Sequence, residues 1–182
     1  MKYAIIMRGL TGSGKSTLAS KIADNIPARI HSTDDYHMIG GKYVFQPHKL
    51  TQYHDDNFAA YCDSLLTFEG LVIVDNTNIT PLEYMRYIEA AHDMGWDVIM
   101  VSFPMMSTCL HVERSSHDVP AAVIKTHALS YRLRVDADVE HQFICYNNDK
   151  IVDRIQELIN EQDQDVALMC HAWERIVSDY HT

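Results

Sequence analysis

The sequence predicts an α/β protein: a parallel five-stranded sheet flanked by helices, folded as a single domain over residues 1–182. Three observations predict it. Five compact apolar runs recur along the chain, separated by stretches of helical periodicity. The first run passes through a glycine-rich turn directly into a helix. The length of 182 residues, 47% of them hydrophobic, suits one domain with a sizeable core.

The elements follow in order. "YAIIM" (3–7) is a continuous apolar run, as expected of a strand covered on both faces. Leu18, Ile22 and Ile26 then recur at helical spacing, predicting a helix from about Lys15 to Asn25. "ARIHS" (28–32) reads as the second strand, and Gly40-Gly41 with Pro47 marks a loop. Phe58, Tyr61 and Leu65 form one stripe of a helix from about Leu50 to Phe68. "LVIVD" (71–75) is the clearest strand. The "TPLE" that follows at 80–83 is a capping box, with Pro81 at the first helical position and Gly95 at the helix end. "WDVIMVSF" (96–103) is the fourth strand and "FICYN" (143–147) the fifth. Helical patterns at 106–116 and 120–133 form a lid over about 106–134, and two helices close the chain over about 149–182.

Composition excludes several classes. No apolar run approaches the ~20 residues of a membrane span, so a cytoplasmic protein without a membrane partner is expected. Cys62, Cys109, Cys145 and Cys170 form no C-x-x-C pair, and the 11 histidines form no H-x-x-x-H pattern. A net charge of −10 argues against a general nucleic-acid coat. Yet Arg114, Lys125, Arg132 and Arg134 face one acid, Asp118, over 114–134, which marks a local anion site.

Residues 9–16, "GLTGSGKS", match G-x-x-x-x-G-K-[ST] between a strand and a helix. Gly9, Gly12 and Gly14 let the backbone close around phosphate, with Thr11 and Ser13 between them. The loop amides and the helix start at Lys15, Ser16 and Thr17 face the anion. Lys15 would meet the β/γ-phosphates and Ser16 a Mg²⁺ ion. The expected cofactors are therefore ATP, or another nucleoside triphosphate, and Mg²⁺. A P-loop NTPase fold follows. The N-K-x-D and D-x-x-G of a switch GTPase are absent.

An acid closes the second strand. Strand C-termini share one edge with the phosphate loop, so Asp34 would face the γ-phosphate and could take a proton from an acceptor hydroxyl. A turn or helix cap is the alternative for both acids, and it suits Asp35 better than Asp34. Arg114 is the best single cation to close over the phosphates, because its guanidinium fork matches phosphate oxygens.

"GLTGSGKST", "STDDY", "VIVDNTN", "MGWDVIMVSF" and "ERSSHDVPAAVI" recur in this order in one group of P-loop kinases. Over about residues 3–134 the chain resembles the polynucleotide kinase type. That group includes the 5′-kinase domain of bacteriophage polynucleotide kinase and the ATP-binding domain of NEDD4-binding proteins. The resemblance implies that Lys15 and Ser16 hold phosphate and magnesium, that Asp34 is the general base for a 5′-hydroxyl, and that Arg114 is a lid arginine. It places Asn76, Thr77 and Asn78 near the acceptor, with Asn78 either binding a substrate phosphate or capping the next helix; Asp35, grouped with the substrate residues, is read as structural or as a water-mediated aid to the metal. His37 stands where the phage enzyme has an arginine that holds the acceptor's 3′-phosphate, and His117 lies nearest to its second lid arginine. The phosphatase motif D-x-D-x-T is missing. The expectation is an ATP- and Mg²⁺-dependent kinase of nucleic-acid 5′ ends without 3′-phosphatase activity, the alternative being a kinase of a nucleoside, nucleotide or sugar.

Overall fold

The computed structural model describes residues 2–117, 119–133, 136 and 138–179; at residue 163 and from 165 to 179 it describes the helix backbone alone. Asp118, Arg134 and the side chain of Cys170 thus lie outside the described residues.

β1 (Tyr3–Arg8) is the central strand, and β2 (Ala28–His31), β5 (Leu71–Val74), β6 (Asp97–Ser102) and β7 (His141–Ile144) complete a parallel sheet in the order β2-β5-β1-β6-β7. Ile5 sits between Ile73 on one side and Ile99 on the other. Side chains alternate across the sheet. Ile5, Met7, Ile73 and Val101 face one core with Leu18 and Ile22 of α1 (Lys15–Asn25) and Ile155 and Leu158 of α6 (Asn148–Asp179). Ala4, Ile6, Val72 and Val98 face the other, with Tyr61 and Leu65 of α2 (Leu50–Thr67) and Tyr84, Tyr87 and Ile88 of α3 (Pro81–Asp93). Both faces are covered, which is why the strands read as unbroken apolar runs.

The capping box forms as expected: Glu83 Oε1 accepts from the Thr80 amide at 3.3 Å and from its hydroxyl at 2.9 Å. Gly95 follows α3 at φ +72°. Above the sheet's C-terminal edge, α4 (Thr108–Glu113) and α5 (Ala121–Ser130) fill the predicted lid region, and Ile124 packs with Leu10, Ile79 and Tyr131.

Three expectations need correction. The C-terminal segment is one helix of 32 residues rather than two, since no glycine or proline interrupts 148–179, and it packs on one face of the sheet. The last strand begins at His141, two residues before the expected 143–147, because His141 pairs with Ile99. The loop at Gly40-Gly41 is a hairpin of β3 (Met38–Ile39) and β4 (Lys42–Tyr43). Its two glycines take φ +56° and +79°, the left-handed pair that a tight hairpin turn requires.

Candidate active site

The strand–turn–helix unit builds the phosphate cradle as its motif predicts. Gly12 adopts φ +75°, and a Cβ there would lie 2.6 Å from the His111 carbonyl, so α4 can rest on the loop only over a glycine. Gly9 donates its amide to Thr77 O at 2.9 Å, and Ser13 to Leu10 O at 3.1 Å. The Lys15 ammonium sits on the Gly9 and Leu10 carbonyls, both at 3.0 Å. Burial lowers its pKa to about 8, against the opposing pull of Asp75 and Asp34. Bound phosphate would favour the charged form, which gives a pH signature. Below about pH 8 the free lysine already carries its proton, and nucleotide affinity is flat. Above that, binding must take up a proton, so affinity falls with rising pH. Calorimetry at about pH 9 in buffers of different ionisation enthalpy should register this uptake; pH-independent affinity up to pH 10 would contradict it.

Ser16 and Thr17 are exposed at the helix start. The Ser16 hydroxyl lies beside Asp75, which immediately follows β5 and is 7% exposed, and favours its charged form. Burial raises the Asp75 pKa, opposed by Ser16 and Lys15, and Asp75 Oδ1 has no partner among the described residues. A hard, oxygen-preferring cation fits this hydroxyl and orphaned carboxylate oxygen. Sequence reasoning missed Asp75, although an acid after four consecutive apolar strand residues was the available signal.

The segment after Asp75 braces the cradle. Asn76 accepts from the Thr33 amide through Oδ1 at 3.0 Å, tying β5 to the Asp34 turn. Asn78, at φ +48°, donates its side-chain amide to Met7 O at 2.8 Å. Neither expected role of Asn78 matches this contact: it holds the loop against β1, and Thr80 caps the helix. Arg8 is buried and spans the same junction, donating to Asn78 O at 3.1 Å and Arg132 O at 3.2 Å.

Asp34 and Asp35 lie on a 3-10 turn, Thr33–His37, directly beyond β2. Asp34 Oδ1 accepts from the Tyr43 hydroxyl at 3.0 Å, and His117 Nε2 stands 3.6 Å from Oδ2. Burial raises Asp35, and its neighbour Asp34 adds to the effect. Asp35 opens instead on a cleft of about 210 Å³ with Ile30, His31, Ser32, Tyr36 and Asn57. His37 is 1% exposed: its Nδ1 accepts from the Gln46 amide, its ring packs on Tyr43, Phe45 and Tyr53, and Nε2 has no partner among the described residues. A single buried ring nitrogen is what His37 can offer where the resemblance has a guanidinium.

Arg114 is exposed at the end of α4, its Cβ 3.2 Å from where a Gly12 Cβ would stand. Its guanidinium touches Met106 Sδ at 3.5 Å. Buried His111, which the sequence reading passed over, accepts from the Met106 amide through Nε2, so Nδ1 carries the proton and donates to Thr11 O at 2.9 Å. Lys125 is exposed, and Arg132 donates to the adjacent Tyr131 carbonyl at 2.7 Å.

Comparisons with known proteins agree on the fold. The model of a family described as an AAA domain (AAA_33) matches residues 5–132, more than half of the chain. Human NEDD4-binding protein 2 is 33% identical over 96 residues, a match of 52% of this chain and only 5% of that much longer protein. Among solved structures, a gluconokinase from Sinorhizobium meliloti superposes with TM-score 0.58 at 18% identity, covering 88% of this chain and 97% of its own. The Mycobacterium tuberculosis APS kinase, in complex with AMPPNP and APS, superposes with TM-score 0.53 at 15% identity, covering 87% and 98%. At such identities the structural likeness concerns the fold.

Proposed function

The chain belongs to the AAA_33 family of AAA domains, and from that premise we propose that it is a nucleoside-triphosphate- and Mg²⁺-dependent kinase of nucleic-acid 5′-hydroxyl ends. One observation carries the reading. A half-exposed carboxylate, Asp34, stands on the same sheet edge as the phosphate loop, beside an aromatic wall.

In this reading the loop amides and Lys15 hold the donor phosphates, and Arg114 meets the charge that spreads over the γ-phosphoryl group. Ser16 and Asp75 would hold Mg²⁺, which when bound neutralises phosphate charge. Asp34 orients the acceptor hydroxyl and takes its proton. The acceptor oxygen bonds to the γ-phosphorus as the bond to the β–γ bridging oxygen breaks, leaving the nucleoside diphosphate. Asp35 faces the acceptor side, while Asn76, Thr77 and Asn78 keep the acceptor turn and the cradle in register.

Support for a nucleic-acid acceptor comes from Phe45, which is 56% exposed and packs in a cluster with Tyr36, His37, Tyr43 and Tyr53 beside Asp34. Flat exposed ring faces suit nucleobases. The cleft at Asp35 favours a second reading, a small polyhydroxyl or nucleoside acceptor, since its volume of about 210 Å³ would admit one.

Incubation with γ-labelled ATP and Mg²⁺ separates the two. Label is expected on 5′-hydroxyl oligonucleotides and not on 5′-phosphorylated ones. Label confined to a panel of nucleosides and sugars would overturn the nucleic-acid assignment and leave the kinase reading standing.

A further inference from the structure

The strongest unassigned feature is a three-residue contact linking the lid to Asp34. His117 lies in the loop between α4 and α5. Its ring stacks on that of Tyr43, with centroids 3.9 Å apart and planes inclined by 19°. Tyr43, on the second hairpin strand, donates to Asp34 Oδ1 at 3.0 Å, and burial together with Asp34 raises its pKa, so the phenol keeps its proton as a donor. His117 Nε2 faces Asp34 Oδ2 at 3.6 Å, within ion-pair reach but beyond a hydrogen bond. The two oxygens of Asp34 are thus met from two elements, the hairpin and the lid loop.

We propose that His117 is a positioning residue that clamps Tyr43 and Asp34 from the lid, so that the base is oriented only when the lid is seated on the phosphate loop. The inference rests on Asp34 being the base. Its physical ground is the exposure of Asp34, whose side chain is 53% accessible and whose rotamer is not fixed by burial. The same lid segment is fastened to the cradle at its other end, by His111 on Thr11 and by the α4 backbone over Gly12. Donor phosphates that order the loop therefore order His117, and His117 orders the acceptor side. A ring stack also suits the task, because it fixes two planes at low conformational cost while leaving Nε2 free to face the carboxylate. Transfer to water is disfavoured in such an arrangement, since base and donor come together only under a closed lid.

Hydrogen exchange on the full chain, with and without AMPPNP and Mg²⁺, tests the linkage without reference to any acceptor. Nucleotide should slow exchange in residues 38–45 of the wild type about fivefold or more. The effect should disappear in His117→Ala and persist in His117→Phe, which keeps the stack, while protection of residues 9–16 survives in both. Tyr43→Leu, which removes the stack from the other side, should behave as His117→Ala. Equal protection of 38–45 in wild type and His117→Ala, or none in the wild type, overturns the proposal. With the acceptor that takes label, His117→Ala should lower kcat about 10- to 100-fold at unchanged KM for ATP, and His117→Phe should recover part of it. An equal loss in both variants would show that the stack contributes nothing. If no acceptor takes label, the kinase assignment fails while the exchange result still decides the linkage.

Discussion

Asp34→Asn is expected to lower the rate of phosphoryl transfer about 10²- to 10⁴-fold while leaving nucleotide affinity within a factor of about two, the pattern of a lost general base. The amide keeps the shape of the side chain, and its oxygen still accepts from the Tyr43 hydroxyl, so the turn and the hairpin should stay in place. What disappears is the capacity to hold a proton. Asp35→Asn serves as the internal comparison. Asp35 opens on the side cleft rather than on Tyr43 and His117, and its loss should raise the acceptor KM more than it lowers kcat. Rapid-quench measurement with γ-labelled ATP checks both variants. A dead Asp35→Asn beside an active Asp34→Asn would reverse the assignment of the pair.

Asp75→Asn should separate stability from activity. In the wild type a carboxylate that is 7% exposed carries an oxygen without a partner among the described residues, and burial raises its pKa. A carboxylate whose folded pKa lies above its unfolded value destabilises the fold at neutral pH, and the cost fades as pH falls through the folded pKa. The amide removes that cost. The ligand-free variant should therefore be more stable by about 1 kcal/mol, or roughly 2–4 °C in Tm for a chain of this size. Activity should fall at least about 100-fold, because Ser16 alone would be left to hold the cation. The rise in Tm given by Mg²⁺ with ATP over ATP alone should vanish. Thermal melts with and without Mg²⁺ provide the check, and a variant that is less stable yet fully active would refute this reading of Asp75. A site built for charged ligands keeps unfavourable charge in the free protein, and that burden is what the substitution exposes.

Local chemistry made much of the fold legible. Ile5 and Ile73 belong to strands buried on both faces, so they sit in unbroken apolar runs that no other setting explains as simply. Thr80, Pro81 and Glu83 name a helix start by their hydrogen-bonding capacity alone. The phosphate loop is equally local, since its glycines and lysine are fixed by the conformation of eight consecutive residues. The hairpin was harder to see. Two paired residues on each side of Gly40-Gly41 are too few to show an alternating pattern, and the same glycines mark an ordinary loop.

The site shows the same division. By itself the sequence determined the phosphate-loop motif and the position of the acid after the second strand, because each belongs to a contiguous stretch whose chemistry is complete within itself. Only the tertiary structure decided what stands around them. Asp75 meets Ser16 because β5 lies beside β1, although the two residues are far apart in the chain. His37 is enclosed by rings from the hairpin and α2, and Asn78 is drawn to Met7. His117 reaches Tyr43 and Asp34 only because the lid folds back over the sheet edge. Such contacts depend on strand order and helix packing, which bring distant residues together, and no pattern along one stretch of chain records them.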